Sequence, residues 1–334
     1  MIKAYAAFKP GGPLQPFEYD PGELAPGDVE IDVKYCGVCH SDLSVIESEW
    51  GNTRYPLVAG HEVVGTVGKV GSLVKSLEIG QEVGLGWHAG YCENCDMCST
   101  GDHNLCGSIK PTILGRHGGF ADKVRASATC VVSIPKGINM ETAGPLFCGG
   151  ITVYNPLVQF NIKPTDRVAV IGIGGLGHIA LQFLNAWGCE VTAFTTSEDK
   201  KKEVLELGAH KALNSCNDDE IKSAKNSFDL IISTVNVSLN WKAYLATLAP
   251  RGRLHFVGIT LEPLNIGVTS LMSKQLSVSA SPIGSPSTIK QMLDFANLHK
   301  IEPVIEKYAF SDINAAMDRL RSGKARYRIV LAHQ

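Results

Sequence analysis

Four cysteines, Cys92-x2-Cys95-x2-Cys98-x7-Cys106, share a polar loop with Asn94, Asp96, Ser99, Thr100 and Gly101. Thiolates at this spacing can close a tetrahedral shell around one Zn²⁺. An iron–sulfur cluster is the rival, but it expects a tighter final spacing and a proline after the last cysteine, and Gly107 follows here. With every coordination position filled by protein, such a metal staples a loop and does no chemistry.

Other reactive groups are scattered. Cys36 and Cys39 lead into His40-Ser41-Asp42, His61 and Glu62 follow Gly60, and Cys148 stands in PLFCGG. Taken singly they are bland: a core histidine, a surface carboxylate, a buried thiol. A second kind of chemistry is suggested by Val168–Gly177, VAVIGIGGLG. Gly172, Gly174 and Gly177 fit G-x-G-x-x-G, with Gly175 extra. The first glycine makes a tight turn, the second lets backbone approach a pyrophosphate, and the third lets helix pack on strand. A helix starting near Leu176 would offer its free N–H groups to phosphate.

Two different scaffolds must position these groups. Up to about residue 150, short alternating strands and turns dominate, as in Asp28–Tyr35, Val63–Val70, Glu82–Gly86, Phe120–Val124 and Thr129–Pro135. This predicts a barrel-like all-β part. From Asp166 the rhythm becomes βαβ, with strands at 168–172, 190–195, 228–232, 253–257 and 276–280 and helices at 176–187, 198–207 and 239–248. That pattern predicts a doubly wound parallel sheet. Helices at 288–299 and 312–321 and a strand at 326–331 complete the chain.

Composition narrows the function classes. A net charge of −2 over 334 residues leaves no electrostatic footprint for nucleic acid or an anionic membrane. The run Val168–Cys189 lacks charged residues, but five glycines, His178, Gln182 and Asn185 argue for buried strand plus helix over a membrane span. The N-terminal MIKAYAAFKP has no signal-peptide apolar core. Ten cysteines in such a chain suit metal binding in a reducing cytoplasm better than disulfides.

In order and spacing, YCGVCHSDL, YPLVAGHEVVG, the four-cysteine loop, GGFADK, GPLFCGGITVY, VAVIGIGGLGH and KARYRIVL resemble the zinc-containing medium-chain alcohol dehydrogenases nearly end to end. The resemblance is greatest to the cinnamyl-alcohol-dehydrogenase-like branch and its bacterial NADPH-dependent aldehyde reductases. It implies a GroES-like catalytic domain (1–149 and 286–334) and a Rossmann cofactor domain (150–285). It also implies a homodimer, in which an edge strand such as Leu276–Ala280 could pair between subunits. Two zinc ions per chain are implied, the second held by Cys39, His61 and Cys148, with Glu62 as an acidic neighbour able to approach the metal. Three protein ligands leave a fourth position for water or substrate, as catalysis requires. Cys36 is the decoy.

The same resemblance casts Ser41 as the hydroxyl bonded to the substrate oxygen, Asp42 as the acid orienting the ligand histidine, His40 as a pyrophosphate neighbour and Thr152 as a nicotinamide neighbour. Arg326, in the C-terminal motif, joins the cofactor set. Where many relatives carry a histidine that passes the proton outward, this chain has Ser44, so water or Ser44 itself is expected there. Trp50 and Trp87 are candidate walls of an apolar aldehyde pocket, or core tryptophans.

Cofactor choice is argued from the strand after the fingerprint. An NAD site expects an acid about 20 residues on, at the strand end. Here Thr196 stands there, followed by Ser197, Lys200 and Lys201, which suit a 2′-phosphate. NADP(H) is therefore expected. The expected activity is a zinc-dependent aldehyde reductase or alcohol dehydrogenase acting on a broad range of aliphatic or aromatic aldehydes. The alternatives are a polyol or amino-alcohol dehydrogenase of the same fold, and a non-catalytic zinc- and nucleotide-binding sensor.

Overall fold

In the strand Asp28–Val38, Val29, Ile31 and Val33 turn inward, as their alternation predicts. Glu30 breaks the pattern: it is 2 % exposed, and Arg125 clamps its carboxylate from the neighbouring strand Lys123–Ser127. A buried carboxylate survives because a guanidinium meets it.

The computed structural model describes residues 1–333 and divides into two compact units, Met1–Ile151 with Ile283 onward, and Thr152–Pro282. The first unit is built on a seven-stranded, largely antiparallel sheet. Its order is Ile305–Ala309, Arg328–Ala332, Asp28–Val38, Glu62–Val70, Glu82–Leu85, Val131–Ser133, with Lys123–Ser127 pairing to Asp28–Val38. Register matters for the site. Gly37 lies opposite Glu62, and Val38 opposite Ile329, so the ends of three strands converge.

One expected strand is displaced. Phe120–Val124 gives way to Lys123–Ser127, because Phe120 and Ala121 are taken up by Tyr5 and by an isolated bridge to Ala4.

The second unit holds a six-stranded sheet in which every pairing is parallel. Its order is Lys211–Asn214, Glu190–Thr195, Arg167–Ile171, Phe228–Ser233, Leu248–Phe256, Ser277–Ala280. The first strand in sequence lies inside the sheet, and the chain goes left and then right from it. This is the doubly wound Rossmann order, whose ligands sit beyond the carboxyl ends of the strands where the order reverses. Val168–Ile171 are buried and apolar, as a strand covered on both faces must be.

Helix Gly177–Trp187 follows and stops at Gly188, whose φ of 97° only glycine adopts freely. No described helix is long and apolar enough to cross a membrane. The strand Lys211–Asn214 and the helices Asp218–Ser223 and Val268–Met272 were not legible, because stretches of four to six residues are too short to show an apolar period.

Candidate active site

Two clusters in the first unit bring ligand atoms within 4.8 Å of one another: Cys92, Cys95, Cys98 and Cys106, and Cys39, His61, Glu62 and Cys148. Four thiolates around one Zn²⁺ at ~2.3 Å stand about 3.8 Å apart. The Cys92–Cys98 and Cys92–Cys106 separations are 3.9 and 3.5 Å. The donor set and spacing fit zinc without rearrangement. Glu93 anchors this lobe, accepting from Thr129 Oγ1 at 2.8 Å.

The second cluster is assembled from three separate segments. Cys39 caps the helix His40–Ile46, His61 precedes the strand Glu62–Val70, and Cys148 lies between a 3-10 turn and the helix Gly149–Gln159. Gly84 makes the last placement possible. A Cβ there would sit 2.0 Å from the Phe147 ring, so only glycine lets Phe147 and the adjacent Cys148 approach. Cys39 Sγ and Cys148 Sγ are 3.8 Å apart, and His61 Nε2 is 3.2 Å from Cys148 Sγ. Two thiols and an imidazole at these distances fit a zinc ion with one position left open.

Asp42 organises the cluster. Its Oδ1 accepts from Gly60 N and meets His61 Nδ1, both at 2.8 Å, while Oδ2 accepts from Cys39 N at 2.9 Å. Burial pulls the imidazole of His61 down, but the charge and hydrogen bond of Asp42 overcome it, and the group lies well above the ordinary range. The hydrogen bond from Cys148 holds the Cys39 thiol well below its usual range, against burial. Cys36 is excluded from the cluster. Its sulfur packs against Gly60 and Gly119, and burial pushes its thiol well up.

Glu62 is fully buried, which overturns the reading of it as a surface carboxylate. Gly37 clears its path, since a Cβ there would meet the Glu62 carboxylate at 2.0 Å. One oxygen pairs with Arg328, which is itself 4 % exposed, and the other has no partner among the described residues. Burial, partly offset by Arg328, raises Glu62 to about 7. Arg328 was missed at the sequence level. It lies in the KARYRIVL motif, but the residue singled out there was Arg326, which is exposed with its guanidinium 5.5 Å from the Tyr327 ring.

Trp87 stands edge-on to His61 at 4.9 Å between ring centroids, and Trp50 lies 5.8 Å from Trp87. Both are half-buried, so this corner carries an apolar wall. Ser41 is half-buried, Ser44 is 5 % exposed, and His40 is exposed at the helix start.

In the second unit, Thr152 is 7 % exposed on the helix Gly149–Gln159. Gly172 turns at φ 87°, Gly174 has open space where a side chain would be, and a Cβ on Gly177 would strike Gly172 O at 2.1 Å. Gly175 and Leu176 complete the turn before the helix. These are the features of a backbone cradle for a pyrophosphate. Thr196 is exposed just past the strand Glu190–Thr195, with Ser197 and Lys200 half-buried beyond it. Lys201 is held by Glu198 at 2.9 Å and Glu220 at 3.1 Å.

A Rossmann unit and a GroES-like unit carrying two zinc-competent clusters define a class, and the chain belongs to the zinc-binding alcohol dehydrogenases. The family models for an alcohol dehydrogenase GroES-like domain and a zinc-binding dehydrogenase match residues 25–136 and 175–297. Among individual proteins, the chain is 61 % identical over 333 residues to the aldehyde reductase AdhA of Synechocystis, covering 100 % of this chain and 99 % of that one. It is similar to the solved cinnamyl alcohol dehydrogenase of Sorghum bicolor, with TM-score 0.95, 36 % identity and 99 % and 97 % of the two chains covered. The Helicobacter pylori cinnamyl alcohol dehydrogenase complexed with NADP(H) matches with TM-score 0.91, 31 % identity and 99 % and 97 % coverage.

Proposed function

We propose that this chain is a zinc-dependent aldehyde reductase that converts an aldehyde, NADPH and a proton into a primary alcohol and NADP⁺, and runs in reverse as an alcohol dehydrogenase. The observation that carries the reading is the buried Cys39–His61–Cys148 set, with the Glu62 carboxylate, itself paired to Arg328, beside it. The aldehyde reductase activity of the Synechocystis relative and the NADP(H) complex of the Helicobacter protein support it.

When bound, zinc supplies Lewis-acid polarisation of the carbonyl oxygen and the reduced nicotinamide supplies the hydride. Cys39, His61 and Cys148 hold the metal, and Asp42 fixes the orientation of His61. Ser41, two residues past Cys39, hands the proton to the substrate oxygen. Ser44 is too buried to exchange freely with bulk solvent, so water takes the outer end of the relay. Trp87 and Trp50 exclude water and favour aliphatic or aromatic aldehydes over polyols. The unit Met1–Ile151 with Ile283 onward serves as the catalytic domain and Thr152–Pro282 as the cofactor domain. Thr196, Ser197 and Lys200 receive the 2′-phosphate.

The working form is a cytoplasmic homodimer. Ser277–Ala280 is an edge strand, and the segment before it exposes Ile259, Leu261, Val268 and Met272, an apolar surface suited to a second copy.

A panel of aldehydes assayed with NADPH and with NADH tests the reading, alongside zinc analysis. Two zinc ions per chain and aldehyde-dependent NADPH oxidation are expected. One zinc per chain with no turnover would reduce the protein to a sensor, and a lower KM for NADH would reverse the cofactor assignment.

A further inference from the structure

A turn that holds a pyrophosphate must present its N–H groups and hide its carbonyls, since each C=O is the negative end of a dipole. The glycine turn of the second unit does this with two residues outside the fingerprint. Thr234 Oγ1 lies 3.0 Å from Ile171 O and 2.6 Å from Gly172 O, and Thr234 N donates to Ile171 O at 3.0 Å. A hydroxyl has one proton, so the two carbonyls share it.

On the helix side, Gly174 O accepts from His178 N at 3.1 Å and from His178 Nδ1 at 3.0 Å. A carbonyl can only accept, so the imidazole carries its proton on Nδ1. His178 is fully buried in the first turn of its helix. Leu176 O is occupied by Ile179 N and Ala180 N at 3.1 and 3.0 Å. By contrast, among the described residues no acceptor meets the N–H groups of Gly174, Gly175 and Leu176. The turn has no slack. A Cβ on Gly172 would meet Val235 at 2.4 Å, and the helix presses on Gly172 O at Gly177.

We propose that His178 and Thr234 are positioning residues for the cofactor pyrophosphate. By tethering the carbonyls of Ile171, Gly172 and Gly174 from behind, they keep the amides of the turn aimed outward. The inference rests on the NADP(H) reading above and adds residues that touch the turn and not the cofactor.

The test uses the full zinc-loaded chain and two ligands followed by fluorescence titration: NADPH, and adenosine 2′-monophosphate, which lacks the pyrophosphate. His178→Leu and Thr234→Val should each weaken NADPH roughly tenfold, the scale of one lost buried hydrogen bond. Adenosine 2′-monophosphate should bind as before. His178→Asn and Thr234→Ser, which restore a donor, should recover NADPH affinity, and in turnover the KM for NADPH should rise more than kcat falls. A general loosening of the fold would weaken both ligands and would not be rescued; that outcome overturns the proposal, as does unaltered NADPH affinity in His178→Leu and Thr234→Val. If His178→Leu does not fold, the Thr234 pair decides alone. Absence of NADPH binding by the unaltered chain would remove the proposed function itself, whereas normal binding with insensitive variants removes only this inference.

Discussion

His61 Nδ1 and Asp42 Oδ1 lie 2.8 Å apart, and both side chains are fully buried. The contact keeps a proton on Nδ1, so that once a metal displaces the other ring proton the Nε2 lone pair faces Cys148 and the metal position. Because the same carboxylate also holds the backbone N–H groups of Gly60 and Cys39, one side chain sets two of the three ligands.

Asp42→Asn should therefore loosen one zinc and spare the other. An amide cannot accept on both of its ends, and it would turn an N–H toward Cys39 N. Loss of such a partner costs about 10–100-fold in metal affinity. Competition with a chelator, followed by zinc counting, should show one ion released early and one retained in the four-cysteine loop.

Glu62 and Arg328 should behave as a unit. Arg328→Leu leaves a buried carboxylate alone, and Glu62→Gln leaves a buried guanidinium alone. Either should lower stability by about 3–5 kcal/mol, measured by urea unfolding, while the double replacement Glu62→Leu with Arg328→Leu should regain most of it. Additive losses would show that the two charges do not depend on each other.

Acid should destabilise the second unit through His255. Its ring is fully buried between Ser279 Oγ at 2.9 Å and Ser281 Oγ at 3.0 Å, and burial, with the charge of Arg253, lowers it to about 4. The unfolded chain binds its proton below about 6.5 while the native ring stays neutral, so stability falls as pH drops from about 6.5 to about 4 and loses nothing more below that. The full window is worth about 3 kcal/mol. His255→Gln should flatten the dependence of unfolding free energy on pH across that window, and an unchanged slope would show that other groups carry it.

At the 2′-phosphate position, Lys201 is occupied by Glu198 and Glu220, so Lys201→Ala should change the KM for NADPH little. Thr196→Asp places a carboxylate at the exposed strand end and should raise the KM for NADPH roughly tenfold, equivalent to about 1.4 kcal/mol. An unaltered KM in Thr196→Asp would move the phosphate elsewhere.

What could be read from the chain depended on how local the signal was. The Cys92–Cys106 loop was legible because its four sulfurs are neighbours in sequence, and the doubly wound sheet because most of its strands and helices carry their own apolar period. Glu30 was not, since its burial depends on Arg125 from another strand. Asp218–Ser223 was missed because a helix this polar shows no apolar stripe.

The sequence by itself determined which donors exist, where the backbone has room to turn, and, through ordered motifs, which family they belong to. Only the tertiary structure decided which groups meet. It put Cys39 and not Cys36 beside His61 and Cys148, and it buried Glu62 against Arg328, 266 residues away. It also tied the glycine turn to Thr234. Contacts between distant segments follow from strand register and close packing, and neither is written in the spacing of any one stretch.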